Sequence, residues 1–131
     1  MMVQQIFKSK WKHMVGVMCL NLTTGTQVKR LLPKLFKRYP NAKAFLRGRY
    51  NTQQRMLKPL GMSNVRTKRL RRMSRDFLTW NGKDAKDLHG IGKYGSDSYR
   101  IFYKNEIPKN VTDKVLKKYI TKYEKKKPNS T

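Results

Sequence analysis

Acidic residues are scarce in this chain. Seven Asp+Glu stand against 32 Lys+Arg in 131 residues, a formal net charge of +25. Self-repulsion on that scale opposes a compact state unless a polyanion neutralises it. DNA or RNA is the default polyanion, and an anionic membrane surface is the competitor. The membrane reading is weak, because no segment pairs a broad apolar face with its basic one.

Cysteine is nearly absent as well. Cys19 alone excludes an intramolecular disulfide, a four-cysteine iron–sulfur cluster and a Cys-rich zinc site. His13 and His89 lie in different segments and form no spaced metal motif, so neither a metal nor a cofactor is expected. No long hydrophobic run occurs: the stretch from Met14 to Leu22 is far shorter than a membrane span and contains Asn21. No secretory leader is evident, from which an intracellular, reducing compartment is expected. Strand-like alternation is also sparse.

What is present is enough for one real core. Hydrophobic residues make up 37% and aromatics 11% of the chain, more than a basic disordered tail carries. The pattern predicts a series of short helices. One runs from about Lys10 to Leu20. A second follows Thr24, a capping residue, and reaches Arg38 with Val28, Leu31, Leu32, Leu35 and Phe36 at helical spacing. Pro33 inside it predicts a kink or a late start. Short helical turns are expected over Ala42 to Leu46 and Thr52 to Leu57, then a longer helix from Ser63-Asn64 through Phe77. Further helices are expected from Asp84 to Leu88, Gly95 to about Lys104, and Thr112 to about Glu124.

Three features carry chemistry. The first is Leu88-His89-Gly90-Ile91-Gly92-Lys93-Tyr94-Gly95, which reads as helix, tight Gly-x-Gly hairpin, helix. Gly90 and Gly92 permit positive φ and close backbone approach. The next helix then offers its N-terminal amides, with the charge of Lys93, to a DNA phosphate. Leu88 and Ile91 would anchor the hairpin in the core. The second is the Arg66 to Arg75 helix, where Val65, Leu70, Met73 and Phe77 occupy one side and cations the rest. Nearly all its charges share one sign, so a phosphate-facing surface is favoured over a merely solvated face, with Arg66, Lys68, Arg69 and Arg72 as contacts. The third is Asp113, which by itself reads as an acid at a helix N-terminus. Trp11, Trp80 and Tyr99 read as core residues.

The run from Leu88 to Phe102 resembles the hairpin segment of the helix-hairpin-helix DNA glycosylases, in particular the mismatch-specific thymine and uracil glycosylases of the methyl-CpG-binding domain protein 4 family. The similarity extends in order to Trp11-Lys12, Asn21 to Gly25, Lys37 to Pro40, Leu57 to Gly61 and Leu116 to Tyr119. It implies an all-α helix-hairpin-helix glycosylase fold in one compact domain over residues 1–124, followed by a basic disordered tail over 125–131. It implies a monomer acting on double-stranded DNA in the nucleus, in base excision repair.

Residue roles follow from the same resemblance. Asp113 falls on the family's catalytic aspartate. Tyr94 falls on a pocket tyrosine that stacks with the flipped base, where bifunctional relatives carry a nucleophilic lysine. A monofunctional glycosylase with no strand-cleaving step is therefore implied. Gln4 resembles the glutamine that hydrogen-bonds the extruded pyrimidine, and Met62 takes the place of an apolar wedge. Leu22 stands where the family has an arginine; it can wedge but makes no charged contact. Lys114 and Val115 replace a His-Lys pair; Lys114 is expected among the phosphate contacts, and beside the aspartate it either favours the charged carboxylate or occupies its oxygens and impedes its role. The alternative from another class is a non-catalytic, DNA-binding or DNA-condensing protein on the same scaffold.

Overall fold

The computed structural model describes residues 8–108, 113, 116–118 and 120. Among them are six α-helices and no strand: α1 (Lys10–Cys19), α2 (Gly25–Arg38), α3 (Ala42–Arg47), α4 (Tyr50–Leu57), α5 (Ser63–Thr79) and α6 (Lys93–Tyr103). Residues 116–118 and 120 are also helical. Single 3₁₀ turns stand at Lys58–Leu60, before α5, and at Ala85–Asp87, where the sequence had suggested a helix through Leu88.

Helix starts follow local chemistry. The Thr24 hydroxyl accepts the Gln27 N–H at 3.2 Å, and Gln27 Oε1 accepts the Thr24 N–H at 3.3 Å. This reciprocal capping box satisfies two orphan donors and sets the start of α2. At α3 the cap is one-way: Asn41 Oδ1 accepts the Ala44 N–H at 2.8 Å, and alanine has no side-chain group to return the bond. Pro33 does not delay α2, which begins directly after Thr24 and continues past it. Its ring sits on the exposed side, while all five apolar residues predicted for the inner face are buried. Burial of that face outweighs the one hydrogen bond that proline removes.

Helix α1 runs antiparallel to α5 through the core. At one end, Trp11 Nε1 donates to Ser74 Oγ at 2.9 Å. At the other, the Asn21 carbonyl, just beyond α1, accepts from Arg66 of α5 at 2.9 Å. The Trp11 ring lies 5.7 Å from Phe36 and 5.9 Å from Phe45, joining α2 and α3 to this pair. Arg71 donates to the Leu46 and Gly48 carbonyls at 3.2 and 3.0 Å, satisfying the C-terminal end of α3.

Helix α6 packs across α1. Gly95 makes this possible: a Cβ there would come within 2.7 Å of Ile91 Cγ2 and 3.0 Å of Val17 Cγ1. His13 of α1 is buried beside it, with Nε2 2.8 Å from Ser98 Oγ and its ring against Phe102 and Tyr103. Burial lowers its pKa to about 4, so the imidazole is neutral at physiological pH. Trp11 and Tyr99 are core residues as expected, whereas Trp80 is only partly buried and donates to the Asp84 carbonyl.

Candidate nucleic-acid interface

The hairpin forms, but only Gly90 uses the freedom expected of both glycines: Gly92 has φ −102°, and a Cβ there would meet nothing within 4 Å. Leu88 and Ile91 are buried on either side of the hairpin. Gly90 adopts φ +82°, and a Cβ there would sit 2.7 Å from Met18 Cε. Asp76 of α5 fixes the loop by accepting the His89 N–H at 3.0 Å. Gly92 is exposed and opens α6 without a side-chain cap. Helix α6 starts two residues earlier than predicted, so Lys93 and Tyr94 lie in its first turn. That turn presents amides with no acceptor inside the helix, at the positive end of its dipole. Lys93 Nζ lies 2.8 Å from Asp97 Oδ2. The ammonium is thereby held along α6 while remaining half-exposed.

Two apolar side chains project near the hairpin. Leu22 is 78% exposed and Met62 is 52% exposed. Both adopt left-handed backbone conformations, with φ of 59° and 48°. Such φ values cost roughly 1 kcal/mol or more for a residue with a Cβ, so surrounding structure must impose them. Arg66 supplies part of that structure. Its Nε donates to the Gly61 carbonyl at 2.8 Å, and its Nη2 to the Asn21 carbonyl at 2.9 Å. One guanidinium thus ties the residue before Leu22 to the residue before Met62.

This use of Arg66 corrects its expected place among the phosphate-facing cations. Only 8% of the residue is exposed, and its guanidinium is turned onto main-chain carbonyls. The signal was available in the spacing: positions 66, 70 and 73 share one helix side, and Leu70 and Met73 are core. Lys68, Arg69 and Arg72 are exposed on α5. Arg69 reaches a small cleft that it lines with Met18, Asn21, Met62 and Val65. Met18 also touches the hairpin, so hairpin, apolar loops and basic helix meet around the C-terminal end of α1. Cys19 lies at the same cleft, and burial pushes its thiol up to about 12 despite the opposing charge of Arg66, leaving no nucleophilic thiolate.

The remaining site residues are less fully described. Tyr94 is partly buried against the core. Asp113 is also partly buried; its Oδ1 accepts the Leu116 N–H at 3.0 Å, and its carbonyl accepts the Lys117 N–H at 3.0 Å. It therefore caps the last helix, the structural role its position suggested. Gln4, Lys114 and the 125–131 tail lie outside the described residues. Among the described residues no group of three His, Cys, Asp or Glu side chains could hold a metal, and no helix is long and apolar enough to cross a membrane.

No family model matches the chain. Among curated proteins it is 35% identical over 92 residues to a methyl-CpG-binding domain protein 4-like protein of Arabidopsis thaliana, covering 70% of this chain and 21% of that one. It is 30% identical over 91 residues to a thymine-DNA glycosylase of Aeropyrum pernix, covering 64% and 41%. It is 29% identical over 93 residues to a thymine/uracil-DNA glycosylase of Pyrobaculum aerophilum, covering 66% and 40%. The matched part thus spans less than half the length of each relative. Among solved structures, a thermostable thymine-DNA glycosylase superposes with a TM-score of 0.74 at 19% identity, over 81% of this chain and 52% of that one.

Proposed function

The chain belongs to the helix-hairpin-helix DNA glycosylase superfamily, and we propose that it is a monofunctional DNA glycosylase that removes mispaired thymine or uracil from duplex DNA. The observation that carries this reading is the pair Leu22 and Met62. Two exposed apolar side chains, held in costly backbone conformations by one buried arginine, have no use in a merely solvated surface. Next to a phosphate-binding hairpin and a basic helix they suit insertion into a base stack.

The steps follow from that arrangement. Hairpin amides and the α5 cations Lys68, Arg69 and Arg72 grip the phosphate backbone. Leu22 and Met62 enter the stack and displace a weakly paired pyrimidine, whose unstacking costs a few kcal/mol. Tyr94 stacks on the extruded base and Gln4 hydrogen-bonds its edge. As the C1′–N1 bond breaks, its electron pair leaves with the base. The Asp113 carboxylate stabilises the positive charge developing on the sugar and orients a water. The water's oxygen bonds to C1′, its proton is released, and an abasic site remains.

The experiment is release of free base from duplexes containing a single G·T or G·U pair, followed by alkali. Strand cleavage that appears only after alkali supports a monofunctional glycosylase. Cleavage without alkali contradicts the monofunctional assignment. Absence of base release across several lesions and opposing bases rejects the enzyme and favours a non-catalytic DNA binder.

A further inference from the structure

The positive charge is not concentrated where the insertion loops lie. Residues 1–75 contain 19 Lys+Arg and no Asp or Glu; all seven acids fall at or beyond Asp76. The fold sends much of this unbalanced charge to the opposite end of the molecule. Because α1 and α5 are antiparallel, the Trp11–Ser74 contact marks the pole away from Asn21 and Arg66. The C-terminal end of α2 and helix α3 reach that pole through Phe36 and Phe45, both packed on Trp11. Lys10, Lys37, Arg38, Lys43 and Arg47 are exposed there, on helices other than α5. Among the described residues none of these five pairs with a carboxylate.

Distance decides what these cations can do. Met62 and Ser74, which marks that pole, are 12 residues apart along α5, about 18 Å at 1.5 Å per residue. Thr24 and Arg38 are separated along α2 by a similar span. The Debye length at physiological ionic strength is about 8 Å, so cations this far from the insertion loops, and on helices other than the α5 that lies along the first duplex, add little to the attraction of a duplex bound there. Neighbouring cations within the distal pole still repel one another. Aromatic rings further fix this charge at the surface: Lys12 Nζ stands 5.5 Å from the Phe36 ring centre, and the Arg38 guanidinium 5.9 Å from that of Tyr39.

We infer that this distal pole is a second duplex-DNA-binding surface, so that one molecule bridges two DNA segments. The inference rests on the reading that the insertion end takes a first duplex. A duplex is the polyanion already at hand in that reading, and its regular line of phosphates matches a broad field of cations without paired carboxylates.

The test uses the full chain at 0.15 M salt with two 20-base-pair duplexes. One contains a G·U pair and is immobilised, and the other is fully paired, fluorescent and free in solution. Wild type should capture the fluorescent duplex on the immobilised one. The variant Lys37→Ala/Arg38→Ala/Lys43→Ala/Arg47→Ala should bind the immobilised duplex within about twofold of wild type yet capture at least tenfold less of the second. Undiminished capture by the variant would overturn the proposal. So would first-duplex binding by wild type with no second-duplex capture, or capture of phosphatidylserine vesicles in place of the second duplex. Loss of first-duplex binding by wild type itself would instead reject the reading on which the proposal rests.

Discussion

Arg66 Nη2, on α5, donates across 2.9 Å to the Asn21 carbonyl, in a loop 45 residues earlier in sequence. Through its Nε bond to Gly61 the same side chain spaces Leu22 from Met62. Lysine offers a single ammonium and cannot reproduce this planar, two-sided grip. Arg66→Lys should therefore lower stability by about 1–3 kcal/mol in denaturant melts, the range for buried hydrogen-bonding groups left unpaired. Base release should fall further than the melts account for under conditions where the variant is fully folded. Wild-type release by folded Arg66→Lys would show that the loops need no brace.

Asp113 separates catalysis from capping. Asparagine is also a good N-cap, so Asp113→Asn should keep the Leu116 N–H bond and the fold. It removes the negative charge opposite the developing sugar cation. Excision should drop by about two or more orders of magnitude, in line with loss of a preorganised electrostatic stabiliser. Duplex affinity should hold or rise slightly, because a charge repelled by phosphate is gone. Equal excision by both proteins would remove Asp113 from the chemistry.

The exposed cations of α5 should govern salt dependence. Log K against log salt falls with a slope of about −0.9 per phosphate contact. Arg69→Ala with Arg72→Ala should flatten the slope by roughly one to two units. An unchanged slope would place the phosphate contacts elsewhere.

His13 predicts acid sensitivity that begins above the carboxylate range. Burial lowers its pKa from 6.5 to about 4, so the unfolded chain binds the proton more readily than the native one. Stability contributed by the neutral ring is present above pH 6.5 and is lost as pH falls toward 4. The full effect is about 3 to 4 kcal/mol, at 1.36 kcal/mol per pKa unit. Melting temperature should decline between pH 7.5 and 5, and His13→Gln, which keeps a partner for Ser98, should flatten that decline. An equally steep decline in the variant would assign it to other groups.

Gly95 tests the seat of the hairpin. Gly95→Ala pushes a methyl group against Ile91 and Val17, and crowding of this kind costs roughly 1–3 kcal/mol. The displaced Ile91 should carry the hairpin with it, weakening duplex binding more than Gly25→Ala, where a Cβ meets nothing within 4 Å. Equal binding by the two variants would uncouple hairpin position from affinity.

The sequence by itself determined the helical class, most helix limits and the hairpin. These depend on local terms: apolar spacing in α2, the Thr24 cap, and glycines where the chain must turn. The continuity of α2 through Pro33 needed more, because only packing reveals which side of a helix the proline ring faces. The role of Arg66 was half visible, since its spacing with Leu70 and Met73 marks an inward position. Its partners were not visible, because Asn21 and Gly61 come to it from separate loops. Lys93 was legible as a cation, but the 2.8 Å pair with Asp97 depends on where α6 begins. The net charge was plain from composition. Its division between two poles was decided by the tertiary structure alone, because antiparallel packing of α1 on α5 sends Trp11 and Asn21 to opposite ends of the molecule.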